Sequence, residues 1–195
     1  QKVGGPQSYE APYGNSLVGS YAMAAQRHMH EYGTTSEQLG EIAAGVREFA
    51  GLNPNAMYRD PITADDVVSS RMIADPLHKL DCCVISDGGG ALIMTTAERA
   101  QDLKQPPAYV LGAAGAQTHW NISQMPDYTV TAAAKAGPIA FEQAGVTPAD
   151  IDTINFYDSF TITALLLLED LGFCPKGEGG RFVSGFVGEQ YALPE

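Results

Sequence analysis

The chain has 195 residues, 45% of them hydrophobic and 17% charged, with a formal net charge of -12. That length supports a buried core without disulfide or metal staples, and the composition is that of a folded chain rather than a disordered one. The acidic balance, with no Lys/Arg cluster, argues against a nucleic-acid partner, yet leaves room for a phosphorylated small molecule held by a few cations or helix N-terminal amides.

Residues 1–15, with Gly4-Gly5-Pro6 and Ala11-Pro12-Tyr13-Gly14, are rich in breakers and are expected to form loop. A helix follows over residues 17–32, with Gly33 as its stop. Thr34-x-x-Glu37 fits a capping box, which opens a second helix running to about Phe49, and Asn53-Pro54 ends it. Thr63-Ala64-Asp65-Asp66 predicts a short helix to about Ser70, its carboxylates favoured by the positive end of the helix dipole.

After a connector at 71–80, the run from Cys82 to Met94 has two apolar stretches divided by Gly88-Gly89-Gly90, and predicts buried strand at both ends. Thr96-Ala97-Glu98-Arg99 starts a short helix, and strand is expected over 108–116. Residues 120–128 read as irregular chain suited to lining a pocket. A helix over 131–144 should kink or break at Gly137-Pro138, and Thr147-Pro148-Ala149-Asp150 reads as a compact helix start. Strand is expected at 151–156, then a helix at 160–171 that is apolar nearly all round and so belongs inside a layered protein. Past Gly172 the composition turns to Gly, Lys and Glu, with no evident terminal element. Alternating strands and helices favour an α/β layered sheet, and the ends look cut from something larger.

The three cysteines, adjacent Cys82-Cys83 and a lone Cys174, make neither a disulfide framework nor a C-x-x-C metal site, which implies a reducing cytoplasm. Cys82 and Cys83 are expected on a buried strand and Cys174 in an exposed Gly-rich segment. No charged-then-apolar leader opens the chain, and the apolar stretch at 160–171 is far short of a membrane span, so a soluble protein is expected. His78 and His119 are isolated, with no metal partner in view. Gly88, Gly89 and Gly90 complete neither a P-loop nor a dinucleotide fingerprint.

Four ordered stretches resemble the thiolase superfamily, in its sterol-carrier-protein-X and lipid-transfer-protein branch. Tyr9-Glu10-Ala11-Pro12-Tyr13-Gly14 and Arg27-His28-Met29-His30-Glu31-Tyr32-Gly33-Thr34-Thr35-Ser36-Glu37 resemble the passage from the first thiolase half into its loop domain. Asp81-Cys82-Cys83 leading to Ser86-Asp87-Gly88-Gly89-Gly90-Ala91 resembles the segment that opens the second half. Phe156-Tyr157-Asp158-Ser159-Phe160-Thr161 is similar to the Asn-Glu-Ala-Phe box of degradative thiolases and the His-Asp-Cys-Phe box of the sterol-carrier branch.

The resemblance implies an α/β, thiolase-like layered fold (αβαβα). Residues 1–80 would form the end of the N-terminal half and the helical loop domain. Residues 81–195 would form a C-terminal half, incomplete at its end. The nucleophilic cysteine of the first half and the later histidine segment are not among these residues, so a family-like active site is not expected from this chain alone.

Tyr157 stands where sterol-carrier relatives have histidine, and Ser159 where they have cysteine. Both changes remove familiar thiolase chemistry. The same Tyr-Asp-Ser-Phe pattern resembles the bacterial steroid side-chain acyl-CoA aldolases, which cleave a β-hydroxyacyl-CoA to a ketone and a short acyl-CoA such as propionyl-CoA. The resemblance therefore implies Tyr157 as base or proton relay.

Tyrosine as a residue type ionises near pH ~10 and serves as a base only where its phenolate is stabilised; a helix starting around Ser159 would bring free amides close. An isolated tyrosine more often simply closes a strand, and the box reverses that preference. Asp158 is expected to cap the helix. His28 and Met29 match positions near pantetheine and acyl chain in thiolases, against ordinary packing on a helix.

The resemblance further implies coenzyme A as part of substrate and product with no tightly bound cofactor, a homodimer, and a companion protein with an oligonucleotide-binding-like fold. The alternatives are a thiolase-like acyltransferase acting on 3-ketoacyl-CoA and a non-catalytic lipid carrier or scaffold.

Overall fold

The computed structural model describes residues 7–184. The breaker-rich residues 1–6, and residues 185–195 with the absent terminal element expected there, lie outside the described residues.

Leu17–Tyr32 (α2) follows a short helical turn, Gln7–Glu10 (α1), and a 3-10 turn, Ala11–Tyr13, where plain loop was expected. Ser16 starts α2 by accepting the Gly19 N–H, and Gly33 stops it with φ 74°, a left-handed conformation that glycine adopts at no steric cost. Ser36–Leu52 (α3) begins one residue later than the sequence suggested. Its capping box pairs Thr35 with Gln38, because the expected cap Thr34 is buried and its hydroxyl faces His28. Ala64–Ser69 (α4) has the expected box, Thr63 with Asp66, and packs on α3. Gly40 makes that approach possible, since a Cβ there would sit 3.1 Å from the Ala64 backbone.

The connector contains an antiparallel pair, Met72–Ala74 (β1) with Leu77–His78 (β2), and a 3-10 turn at Lys79–Asp81. Ala97–Ala100 (α5) is capped by Thr96 as expected. Ala133–Ala144 (α6) runs through Gly137-Pro138 without a break. Pro138 lacks one ladder N–H, but buried Gly137 faces Leu171, where a Cβ would clash, and so brings α6 against Thr161–Asp170 (α7). The Thr147 start yields only a 3-10 turn, Pro148–Asp150. Gly179–Ser184 (α8) closes the described chain.

The expected strands at 82–94, 108–116 and 151–156 join no ladder among the described residues. Their regular contact is a single bridge, Cys82 with Phe160. Apolar patterning states which face a strand would bury and says nothing of the neighbour that must supply its hydrogen bonds. Here Ile85, Leu92, Ile93, Val110 and Leu111 are exposed. Residues 108–116 instead dock on α6 through Gly112, which lies against the Ala140 carbonyl, and through the Ala113 N–H donated to Gln143 Oε1 at 3.1 Å.

The core lies where the sequence placed the most apolar helix. Ile162, Leu165 and Leu166 of α7 pack with Ala22, Ala24 and Ala25 of α2, with Leu39 of α3, and with Leu77 and Phe160.

Candidate active site

The box at 157–160 is built from the inside out. Ser159, Phe160 and Thr161 are buried, and the Phe160 ring lies 4.4 Å from that of Tyr21 on α2. The Cys83 N–H donates to the Ser159 carbonyl at 3.1 Å, beside the Cys82–Phe160 bridge, and the Ser159 and Thr163 hydroxyls meet at 3.0 Å. Those anchors leave Tyr157 outside, 78% exposed, with Asp158 beside it.

Two expectations change here. Helix α7 starts at Thr161, later than expected, so Tyr157 precedes it by four residues rather than adjoining its first amides. Asp158 does not cap α7. The N-cap is Phe160, which has no side-chain acceptor, and the carboxylate at the helix start comes from Asp81, whose Oδ1 accepts the Thr161 hydroxyl at 2.7 Å.

His28 is fully buried. Its Nε2 lies 3.0 and 3.1 Å from the two Glu169 oxygens, and since a carboxylate only accepts, Nε2 is the donor; the Thr34 hydroxyl meets Nδ1 at 2.8 Å. Glu169 also accepts the Gly179 N–H at 2.9 Å and faces Lys176 Nζ at 3.1 Å. Lys176 reaches Asp170 and the Thr129 carbonyl as well, and Asp170 accepts the Thr131 N–H. Burial pushes the Glu169 carboxyl up, but the His28, Gly179 and Lys176 hydrogen bonds outweigh it and hold the group below its ordinary value. Met29 is half-buried and packs against the core.

The structure thus does not bring Tyr157, His28 and Met29 into one cavity. The residues joining His28 to the rest, Glu169, Asp170 and Lys176, had no local signal beyond two acidic residues ending an apolar helix.

A cleft of about 650 Å³ opens between the start of α2, residues 119–125 and α7. Trp120, Asn121, Ile122 and Met125 line it, in the stretch expected to line a pocket, opposite Tyr21, Thr163 and Leu166. Glu10 ties its two rims by accepting from the Ser123 N–H at 2.8 Å, Asn121 Nδ2 at 3.1 Å and Asn15 Nδ2 at 3.3 Å. The Ser123 backbone donor leads in holding that carboxyl below its ordinary value. Among the described residues no three His, Cys, Asp or Glu side chains come together to hold a metal ion, and no helix is long and apolar enough to cross a membrane.

The cysteines also depart from expectation. Cys174 is buried, and burial with Glu169 nearby pushes its thiol up to about 11; Cys83 is exposed and Cys82 half-buried with its thiol raised, chiefly by burial. A thiol reacts as its thiolate. Ellman's reagent on the native 195-residue chain is therefore expected to label Cys83 first and Cys174 only on unfolding, and mass mapping of the labelled peptides checks it.

Comparison with known proteins adds the family. Residues 114–190 match the model described as thiolase C-terminal domain-like. The chain is 43% identical over 176 residues to an acetyl-CoA acetyltransferase of Methanothermobacter thermautotrophicus, covering 90% of this chain and 46% of that one. It is 43% identical over 181 residues to a steroid side-chain-cleaving aldolase of Thermomonospora curvata, covering 89% and 46%. Among solved structures, a chain of the Ltp2-ChsH2(DUF35) aldolase superposes with a TM-score of 0.86 at 38% identity, over 94% of this chain and 50% of that one. The chain spans about half the length of the curated relatives it matches.

Proposed function

Since this chain carries a thiolase C-terminal-like domain and a thiolase-like α/β fold, we propose that its full-length protein cleaves a β-hydroxyacyl-CoA of the steroid side-chain type by a retro-aldol reaction. Tyr157, as base or relay, takes the β-hydroxyl proton; because α7 begins four residues further on, the donors that stabilise its phenolate come from elsewhere in the full-length protein. The Cα–Cβ bond breaks as the β-carbonyl forms, and its electron pair passes into the thioester enolate. Protonation at Cα then yields the short acyl-CoA beside the ketone. The enolate needs hydrogen-bond donors aimed at the thioester oxygen.

The observation that carries this reading is Tyr157 itself, a phenol held in the open by three buried neighbours. The aldolase names of two similar proteins support it. Coenzyme A enters as part of substrate and product, half-buried Met29 stays a proposed contact for its acyl-pantetheine arm whereas His28, fully buried between Thr34 and Glu169, presents no free surface to it, and the working unit is a homodimer. The superposed aldolase is named as a pair, Ltp2-ChsH2(DUF35), which supports a companion protein.

A second reading, acyl transfer or thiolysis of a 3-ketoacyl-CoA, is favoured by the acetyl-CoA acetyltransferase at equal identity. The two differ in what they consume. Full-length protein incubated with a β-hydroxyacyl-CoA and no free coenzyme A is expected to release ketone and acyl-CoA. Cleavage confined to a 3-ketoacyl-CoA with added coenzyme A would sink the aldolase reading. Binding of acyl-CoA without turnover of either would leave a carrier.

A further inference from the structure

Resting on that reading of Tyr157, we propose that Asp81 and Thr161 are positioning residues that set where the phenol stands, by locking the box to the helical layer behind it. The residues before the box, 151–156, join no ladder among the described residues, whereas those after Tyr157 are anchored one after another. Helix α7 has no local side-chain cap. The anchors that follow Tyr157 therefore bear directly on its position.

The strongest of these by chemistry is the Thr161 hydroxyl donating to Asp81 Oδ1 at 2.7 Å, a buried bond between residues 80 apart in sequence. Bonds to an ionised carboxylate are short, directional and about twice as strong as neutral ones. Asp81 is itself held, since Oδ2 accepts the His78 N–H at 2.8 Å and the His78 imidazole Nδ1 lies 3.5 Å away. The turn Lys79–Asp81 packs against α3 and α4. From that turn the chain passes directly to Cys82 and Cys83, which make the bridge to Phe160 and the bond to Ser159.

One short segment thus grips 159, 160 and 161 in succession and ties them to the helices. Tyr157 lies two residues beyond the last of these grips, so a shift of the anchor is passed on to the phenol. Catalytic groups tolerate only about 0.5 Å of misplacement.

The test compares Thr161→Val, Thr161→Ser and Tyr157→Phe in the full-length protein, measuring kcat and KM for β-hydroxyacyl-CoA cleavage alongside thermal melting. Valine keeps the shape of threonine and removes the donor. It is expected to lower kcat about 10-fold or more with KM changed by less than about 2-fold, whereas serine, which restores the donor, stays within about 3-fold of the parent.

An unchanged kcat in Thr161→Val, a rise confined to KM, or equal losses for serine and valine each overturn the lock. So does a valine variant that fails to fold, which would make the hydroxyl a determinant of the fold rather than of the box. Full activity in Tyr157→Phe removes the phenol from the reaction, and the proposal with it. An inactive Tyr157→Phe beside a fully active Thr161→Val overturns the lock alone.

Discussion

Replacing Tyr157 by phenylalanine in the full-length protein is expected to lower kcat for β-hydroxyacyl-CoA cleavage by about 100-fold or more, the range over which a positioned proton acceptor contributes. The substitution removes one oxygen and leaves the ring. In this chain Tyr157 is 78% exposed and takes no part in the core, so the stability of the 195-residue chain should hold to within about 0.5 kcal/mol. The separation of the two effects is what makes the experiment decisive. Cleavage that persists at the parental rate, in a protein that melts at the parental temperature, would exclude the phenol from the reaction and assign the proton transfer to another group.

Removing the Glu169 carboxylate is expected to have the largest effect on stability. Glu169→Ala leaves buried His28 without its acceptor and Lys176 with one carboxylate fewer, and breaking a buried pair in this way costs about 3–5 kcal/mol. The double variant with His28→Ala should lose less than the sum of the two single changes, because the residues share one interaction.

Acid unfolding carries the same signature. The folded carboxyl of Glu169 sits below the ordinary value of 4.5, so its contribution is complete above that pH and is lost as pH falls through the lower folded value. Glu169→Gln should flatten that acid limb in urea unfolding at pH 3 to 6. An acid limb identical to the parent's would show that other carboxylates carry it. Glu10 and Asp127, also held below their ordinary values, are the residues to test next.

Helices were legible where their signals were local. Thr63 reaches Asp66 and Thr96 reaches Arg99, each three residues on, and Gly33 needs only its own backbone freedom to end α2. The apolar run of α7 announced its burial for the same reason, since a helix with no polar face has nowhere else to go. Even the error over Thr34 has a tertiary cause. Two adjacent threonines offered the same cap, and the buried His28 took the hydroxyl of the first.

The sequence by itself determined the longer helices and the caps at Thr63 and Thr96, because these depend on residues a turn apart, and it carried the box that resembles those of thiolases. Only the tertiary structure decided which groups work together. Asp81 meets Thr161 across 80 residues and His28 meets Glu169 across 141, and no periodicity records a partner at such a distance. The same holds for the segments expected as strands. A strand is completed by the hydrogen bonds of its neighbour, and that neighbour is chosen by the fold.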